Sequence, residues 1–304
     1  MDRNLLLLTS LRLAAQLHAQ QPAHHWPLDA ASGLLAADIA GGENGLVYGN
    51  STWQPGGGHH AGALFLNGND ARVVAGPCDL TTGTGDAITL ACWFKPNIVS
   101  GTERVLVAKT VGPLEQDHVW ALSLVNGTGA RFRVRAAGQV HVLEVPGSSI
   151  FSNAWYHLAG TYDGSTMRLY LNGALMVSQP AAGTIGFHPQ APASMGDLAT
   201  GGKPFFGTLD DVRIYDSALD QAAVIDLVIG TVITGGTSTD HPVPDRSVGA
   251  WERVRVYDLT GRTVFDGPYQ PAPIRPFEGV VPPGIYVVCL HRGAERQVLR
   301  VHLP

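Results

Sequence analysis

The sequence predicts an all-β protein, organised as a large β-sandwich followed by a small second β unit. The composition is the first indication, because 37 Gly and 20 Pro accompany only 15% charged residues in 304. Such a chain suits many short strands joined by turns better than long helices or disorder. The second indication is a hairpin pattern, in which alternating strands at residues 155–162 and 167–171 flank Asp163-Gly164 and precede Asn172-Gly173. Asp-Gly and Asn-Gly supply the positive φ angles of tight hairpin turns.

The first residues are predicted to be a signal peptide at positions 1–19. Arg3 precedes the apolar run Leu5–Leu8, and Ala19 provides a small residue before the cleavage point. Arg12 interrupts the apolar core, so an amphipathic helix or a misassigned start codon are the alternatives. No later run approaches the roughly 18 apolar residues of a membrane span, so no transmembrane segment is expected. The net charge of −5, with scattered basic residues, predicts no nucleic-acid partner.

Residues 24–230 are predicted to form the sandwich. The strand candidates alternate apolar and polar residues and are bounded by Gly, Asn, Asp and Pro. They are residues 63–66, 87–95, 104–109, 120–125, 131–136, 155–162, 167–171 and 208–215. One helix is expected near the end of this zone, with Asp220 as its N-cap and an apolar body over residues 222–228.

The remaining residues are predicted to form a linker at 231–249 and a small β domain at 250–304. The linker contains Thr, Gly and Ser followed by His241-Pro242-Val243-Pro244, a composition typical of a spacer. Strands are expected around residues 254–257, 285–290 and 296–303. A unit of this size is marginally stable unless its sheet packs well.

The three cysteines, Cys78, Cys92 and Cys289, leave two interpretations open. A Cys78–Cys92 disulfide would close a short loop. However, Cys92 alternates in phase with apolar residues of its strand, which favours a small buried hydrophobic side chain. Cys289 lies in a similar apolar run and receives the same interpretation. Their spacing does not fit a zinc site.

Five segments in order resemble laminin-G-like jelly-roll domains of the concanavalin A-like superfamily. The hairpin contributes Trp155-Tyr156-His157 and Thr161-Tyr162-Asp163-Gly164, followed by Leu169-Tyr170-Leu171-Asn172-Gly173. The other segments are Trp26-Pro27-Leu28-Asp29, Gly62-Ala63-Leu64-Phe65-Leu66-Asn67-Gly68, Ile88-Thr89-Leu90-Ala91-Cys92-Trp93-Phe94-Lys95 and Gly207-Thr208-Leu209-Asp210-Asp211-Val212-Arg213-Ile214-Tyr215. The resemblance implies a concanavalin A-like jelly-roll β-sandwich in an extracellular protein. It also implies recognition of a carbohydrate or protein rather than catalysis.

Residues 250–304 resemble the C-terminal sorting domain of type IX secretion. The similar segments are Val256-Tyr257-Asp258-Leu259-Thr260-Gly261-Arg262 and Pro283-Gly284-Ile285-Tyr286-Val287-Val288. The chain departs from that family at the start, where only His241-Pro242-Val243-Pro244-Asp245 stands near the usual Pro-Asn-Pro. The resemblance implies the type IX secretion machinery as a partner and a secreted or outer-membrane-surface location. A small fibronectin-like or carboxypeptidase-regulatory-like module is the alternative.

A calcium site is predicted from acidic residues that are distant in sequence. Asp38 and Asn44 lie in a Gly-rich loop, whereas Asp210 and Asp211 begin the closing strand. Calcium takes six to eight oxygen ligands, and the resemblance implies a structural calcium ion at these positions. Adjacent strand residues point to opposite faces, so only one of Asp210 and Asp211 is expected to bind. The alternative is that these acidic residues only form turns.

The sequence predicts a binding protein and not an enzyme. Glycosidases use two carboxyl groups held about 5 Å or 6.5–9.5 Å apart, and glucanases of this fold carry them in a Glu-x-Asp-x-x-Glu strand pattern. That pattern is absent, and the glutamates Glu43, Glu103, Glu115, Glu144, Glu252, Glu278 and Glu295 are far apart in sequence. A glycoside hydrolase and a structural spacer that binds no ligand are the alternatives to a binding or adhesion protein.

The ligand-binding position itself is not predicted. Trp53, Trp120 and Tyr170 are surface candidates for stacking on a sugar, although each also suits a core position. Trp93 and Trp155 are expected in the core. His157 is expected to be a buried structural histidine, and His59-His60 to be solvated in a loop.

Overall fold

The computed structural model describes residues 21–79, 87–99, 101, 103–147, 150–229, 253–257, 262–268, 284–292 and 295–303. These residues form two compact units. One holds the described residues up to Ala223 except Asn172–Ala174, and the other holds Asn172–Ala174 and the described residues from Val224 onward. The predicted signal peptide and linker lie outside the described residues.

The larger unit is a sandwich of two antiparallel sheets, which confirms the predicted all-β jelly roll. Its strands are β1 (His24–Trp26), β2 (Leu35–Ala36), β3 (Gly45–Tyr48), β4 (Ser51–Trp53), β5 (Leu64–Asn67), β6 (Arg72–Val74), β7 (Ile88–Pro96), β8 (Arg104–Thr110), β9 (His118–Val125), β10 (Gly129–Ala136), β11 (Gln139–Val145), β12 (Tyr156–Tyr162), β13 (Thr166–Leu171), β14 (Ala174–Pro180), β15 (Ala193–Met195) and β16 (Phe206–Tyr215). All eight predicted strands are present, and the structure adds eight short or edge strands.

Each sheet contains eight strands. Sheet A has the order β14-β13-β12-β7-β16-β5-β4, and β1 also pairs with β16. Sheet B has the order β11-β10-β9-β8-β15-β6-β3-β2. The core lies between the two sheets, and each sheet therefore has an outer face that points away from the core.

The period-two alternation of the strands decides which residues enter the core. In β7, Leu90, Cys92 and Phe94 are fully buried members of the core, and in β10 Phe132 occupies the equivalent position. A Cβ atom on Gly160 of β12 would lie 2.5 Å from the Phe132 ring, so the glycine allows this ring to reach sheet A. Burial of each large apolar side chain contributes roughly 1.5–3 kcal/mol to the free energy of folding.

A β-bulge interrupts the closing strand β16. Asp210 pairs with Trp93 and Arg213 pairs with Ala91, so three steps on β16 match two steps on β7. Asp211 has a φ of 52°. The extra residue lets both carboxylates avoid the core face, while Val212 still points inward.

The predicted helix is present as α1 (Gln221–Ile229). The Asp220 carboxylate accepts a hydrogen bond from the Ala223 amide at 2.8 Å, which confirms the predicted N-cap. A single-turn 3-10 helix covers Glu115–Asp117. Within the described part of the chain, no helix has the length and apolar character needed to cross a membrane.

The hairpin turn and the cysteines agree with the sequence. Asn172 and Gly173 have φ angles of 51° and 81°, as a two-residue turn with two positive φ angles requires. Cys78 and Cys92 are both free and buried, so the interpretation of Cys92 as a buried apolar residue is confirmed.

The smaller unit contains a four-stranded antiparallel sheet. Its strands are β17 (Arg253–Tyr257), β18 (Thr263–Pro268), β19 (Gly284–Arg292) and β20 (Glu295–Leu303), in the order β18-β17-β19-β20. Asp266 pairs with Arg253 at 2.6 Å and with Arg255 at 3.2 Å. The domain boundaries and the buried state of Cys289 stay predictions.

Candidate functional site

Asp38 organises the loop between β2 and β3. Its two carboxylate oxygens accept five hydrogen bonds at 2.8–3.0 Å. The donors are the backbone amides of His25, Ala40, Gly41 and Glu43 and the ring of His24. Burial acts to raise the pKa of Asp38, but the hydrogen bonds outweigh it and lower that pKa. The Asn44 side-chain oxygen accepts from the Asp38 amide at 2.9 Å, so these two predicted ligands lie side by side.

Asp211 lies in the same network through His25. The His25 amide donates to Asp38, and its ring nitrogen Nε2 lies 2.5 Å from Asp211 Oδ1. Arg213 also contacts the Asp211 carboxylate at 2.9 Å. Burial opposes ionisation of Asp211, but the His25 hydrogen bond and the Arg213 charge lower its pKa to about 2. Three predicted ligands, Asp38, Asn44 and Asp211, therefore belong to one network.

Asp210 lies elsewhere on the outer face of sheet A. Its Oδ2 accepts a hydrogen bond from the His60 amide at 2.8 Å. Its Oδ1 is buried and has no hydrogen-bond partner among the residues that the structure describes. Burial, together with the nearby Asp211 and Asp29 carboxylates, raises the pKa of Asp210 to about 7. The bulge thus directs the two adjacent acids to different partners.

A cluster of aromatic rings surrounds Asp210, and we call it the aromatic surface. Trp93 is the cross-strand partner of both Asp210 and His157. The exposed His59 ring stacks on Trp93 with ring centroids 3.4 Å apart, and its edge approaches Trp155 at 6.1 Å. The aromatic surface therefore consists of His59, His60, Trp93, Trp155 and His157, with Lys95 5.0 Å from the Trp155 ring.

The aromatic surface corrects the expectation for two tryptophans. Trp155 is half-buried rather than a core residue, and Trp93 is buried on the outer face and outside the main core. Trp120 and Tyr170, two of the surface candidates, are buried, whereas Trp53 is half-buried. His157 is buried as expected, and burial lowers its pKa to about 3.

The outer face of sheet B carries a second cluster, which we call the ion cluster. Glu103 and Glu115, far apart in sequence, both contact Arg133 and Lys203. Lys203 Nζ lies 2.6 Å from Glu103 and 3.0 Å from Glu115. The alternation of Arg131, Arg133 and Arg135 along β10 is the pattern from which a charged outer face could have been predicted.

The ion cluster does not have the electrostatics of a glycosidase acid–base pair. Burial opposes ionisation of Glu103, but hydrogen bonds from Arg133 and Lys203 lower its pKa to about 2. The pKa of Glu115 is lowered as well, although burial acts to raise it. Both carboxyl groups are therefore ionised at neutral pH, whereas a glycosidase needs one protonated acid with a raised pKa. Among the described residues, no group of three or more His, Cys, Asp or Glu side chains is arranged to hold a metal ion.

Comparisons with solved structures agree with the sandwich topology. The binding domain of Paraclostridial Mosquitocidal Protein 1 aligns with a TM-score of 0.55 and 18% identity, over 69% of this chain and 52% of that one. Domain 4 of AbnA, a GH43 extracellular arabinanase from Geobacillus stearothermophilus solved with arabinotriose, aligns with a TM-score of 0.51 and 20% identity, over 68% and 98%. The Botulinum Neurotoxin serotype G binding domain gives 0.52 and 14%, over 68% and 50%. The chain thus spans about half of two of these three proteins.

Sequence comparison places the chain in a family. No curated protein matches it. The model of the concanavalin A-like lectin/glucanases superfamily, in its laminin-G-like form, matches residues 67–225, which is just over half of the 304 residues. The match includes the hairpin of β12 and β13 and the closing strand β16. The chain therefore belongs to the concanavalin A-like lectin/glucanase superfamily.

Proposed function

We propose that this protein is a secreted or cell-surface binding protein that recognises a glycan through the aromatic surface of its jelly roll. The observation that carries the proposal is the exposed His59 ring stacked on Trp93 beside the half-buried ring of Trp155. Flat rings that remain accessible stack on the apolar face of a sugar. Lys95, which lies over Trp155, adds a hydrogen-bond donor at the edge of the same surface.

Two buried polar atoms strengthen the proposal. Trp93 Nε1 is a donor and Asp210 Oδ1 is an acceptor when the carboxyl group is ionised, and neither has a hydrogen-bond partner among the described residues. The two residues are cross-strand partners on the same face. A sugar hydroxyl both donates and accepts, and one that reached this pair after His59 moved aside would satisfy both atoms. An extracellular protein is the alternative ligand.

The test is binding of the full chain to arrayed glycans and insoluble polysaccharides. Trp155→Ala is compared with Phe151→Ala, which removes a 64% exposed ring nearby in sequence. Loss of a stacking contact of about 1.4 kcal/mol weakens binding roughly tenfold. We expect that loss for Trp155→Ala alone. Equal binding by both variants would remove the aromatic surface from the proposal, and absence of any glycan binding would favour a protein ligand.

The proposal includes a structural calcium ion, for which Asp38, Asn44, Asp210 and Asp211 are the candidate ligands. Asp210 fits best, because its buried Oδ1 is uncommitted among the described residues. Asp38 already accepts five hydrogen bonds and Asp211 pairs with Arg213, so those contacts would have to open for calcium to bind. The remaining oxygens would come from backbone carbonyls and water.

Thermal unfolding tests the calcium ion. Calcium at 100 times its dissociation constant would stabilise the native state by about 2.7 kcal/mol. We expect millimolar calcium to raise the melting temperature relative to chelator, and Asp210→Asn to abolish the rise. Asp38→Asn shows whether the loop shares the site. Identical melts in calcium and chelator would remove the metal from the proposal.

We also propose export by type IX secretion, with residues 250–304 as the sorting domain. The four-stranded sheet formed by β17–β20 provides a compact unit that such machinery could recognise. The test compares the full chain with a chain ending at residue 249 in a host that has this secretion system. Retention of the shorter chain in the periplasm is the expected result, and equal release of both would contradict the proposal.

A further inference from the structure

We propose that the ion cluster on the outer face of sheet B is a binding site for the carboxylate of a uronate-containing glycan. Arg133 and Lys203 are the recognising residues, and the Glu115 carboxylate occupies the ligand position in this structure. The site is separate from the aromatic surface, which lies on sheet A. Either proposal can therefore fail without the other.

The two cations are held in place by a buried carboxylate. Arg133 is 1% exposed, and Glu103 contacts both of its terminal nitrogens and also Lys203. Glu103 is itself mostly buried, with 9% of its side chain exposed. Arg131 also lies 3.4 Å from Glu103, and Glu144 neutralises its charge. Arg133 and Lys203 therefore share the single negative charge of Glu103, so one positive charge needs a further anion. Leaving a buried charge uncompensated is costly, which makes this position attractive to a carboxylate.

Glu115 supplies that further carboxylate from the surface. Its side chain is 60% exposed and extends from the single-turn 3-10 helix. One oxygen lies 3.0 Å from Lys203 Nζ, and the other contacts Arg133. An external carboxylate can use the same two oxygens on the same two cations. Glu115 is mostly exposed, so its carboxylate can turn out into water, and an incoming carboxylate would leave neither Arg133 nor Lys203 uncompensated.

Two buried polar atoms beside the cations favour a ligand that also carries hydroxyl groups. Arg133 Nε and His118 Nε2 have no hydrogen-bond partner within the described part of the chain. His118 Nδ1 lies 3.1 Å from the Leu114 carbonyl, so Nδ1 carries the proton and Nε2 is an acceptor. Burial and the Arg133 charge lower the pKa of His118, which keeps the ring neutral. A sugar hydroxyl could satisfy such groups, whereas a simple carboxylate could satisfy only the donor.

The surroundings favour a sugar ring over an acidic peptide. Val142 is the cross-strand partner of Arg133 and is 39% exposed, and Leu114 next to Glu115 is 56% exposed. These apolar side chains can contact the C–H face of a pyranose. In a uronate the carboxylate is attached directly to the ring, so binding restricts fewer rotatable bonds than binding of a Glu or Asp side chain. A uronate can therefore compete with the tethered Glu115 where a flexible acidic side chain cannot.

The experiment measures binding of the full chain to polygalacturonate by affinity electrophoresis and to oligogalacturonates by calorimetry. Glu115→Gln removes the internal competitor, and we expect the affinity to rise about fivefold, which corresponds to about 1 kcal/mol. Lys203→Met is expected to weaken binding at least tenfold. Thermal melts of each variant verify folding, and Lys203→Arg keeps the charge if the Met variant is unstable.

Glu144→Gln is the matched control, because it removes the same charge from the same face. Glu144 pairs with Arg131 at 2.7 Å and leaves Arg133 and Lys203 occupied by Glu115. An equal gain in uronate affinity for Glu144→Gln would show that the effect comes from net charge, and this would overturn the proposal. Lack of uronate binding by Glu115→Gln at millimolar concentration would overturn it as well. So would an equal gain in binding to polyglutamate, because the site would then accept any carboxylate.

Discussion

Replacement of Asp210 by asparagine should remove a pH-dependent loss of stability. Asp210 is fully buried, and burial raises its pKa from 3.8 to about 7. Between these two values the folded protein binds a proton that the unfolded chain releases. The free energy of unfolding therefore falls as the pH rises, until the folded protein also loses the proton near pH 7.

The size of this effect follows from the two pKa values. A folded pKa of about 7 and an unfolded value of 3.8 give a total contribution of about 4 kcal/mol. In most of the unfolded ensemble the Asp210 carboxyl group is already ionised at pH 5.5. From pH 5.5 to 8 the linkage relation gives a loss of about 2 kcal/mol. Asparagine has a similar shape and no charge, so its variant should not show this loss.

The assay is urea unfolding followed by tryptophan fluorescence at several pH values between 5.5 and 8, in chelator. His157 also titrates differently in the two states, because burial lowers its pKa to about 3. Its contribution has the opposite sign, being lost as the pH falls through about 6.5, and it cancels when wild type and Asp210→Asn are compared at each pH. The difference in unfolding free energy should grow by about 2 kcal/mol toward pH 8. A difference that stays constant within about 0.5 kcal/mol would refute the reasoning.

Three further predictions concern buried polar groups. Glu103→Gln removes the fixed partner of Arg133 and should destabilise the protein by about 3 kcal/mol at pH 7. Because the pKa of Glu103 is lowered to about 2, the wild type should lose this advantage as the pH falls from about 4.5 to 2. Acid unfolding curves of the two proteins measure this loss. Thr89→Val removes a hydroxyl that donates to a carbonyl at 2.7 Å and accepts from an amide at 2.9 Å, so chemical denaturation should show a loss of about 1–3 kcal/mol. Burial raises the thiol pKa values of Cys78 and Cys92, so at most one of the three cysteines should react with a disulfide reagent before unfolding. Two or more reactive thiols in the native protein would contradict the buried assignment.

The hairpin of β12 and β13 shows what the sequence could predict and where it was ambiguous. The Asn172-Gly173 turn was correct, and both strands lie within one residue of the predicted bounds. The turn at Asp163-Gly164 is longer than the predicted two residues, because β13 begins at Thr166 and only Gly164 has a positive φ. The assignment of Trp155 to the core was wrong, because the core face carries Tyr156, Leu158 and Tyr162. Both faces of this strand contain large aromatic residues. Its alternation therefore gave the period but not the side that points inward.

The aromatic surface and the ion cluster could not be predicted from the sequence, for a different reason. Lys203 and Glu103 are 100 positions apart, and only the pairing of strands in sheet B brings them together. His59 reaches Trp93 from a loop whose path no local pattern specifies. In contrast, the hydrogen bond between the Asp38 amide and the Asn44 side chain could have been predicted, because both residues lie in one short turn-forming loop. Whether calcium binds there stays a prediction.

The bulge in β16 also constrains how this strand can align with its neighbour. On either side of Asp211 the strand pairs with β7 as two short segments, one ending at Asp210 and one beginning at Arg213. A slip of either segment by one residue would need the bulge to migrate and would turn Leu209 or Val212 out of the core. Excision of Asp211 would leave Leu209, Val212 and Ile214 in regular alternation. The strand thus contains one residue that the alternation of its core face does not require, and deletion of Asp211 would remove one carboxylate of the acidic pair while keeping the core-facing residues in phase.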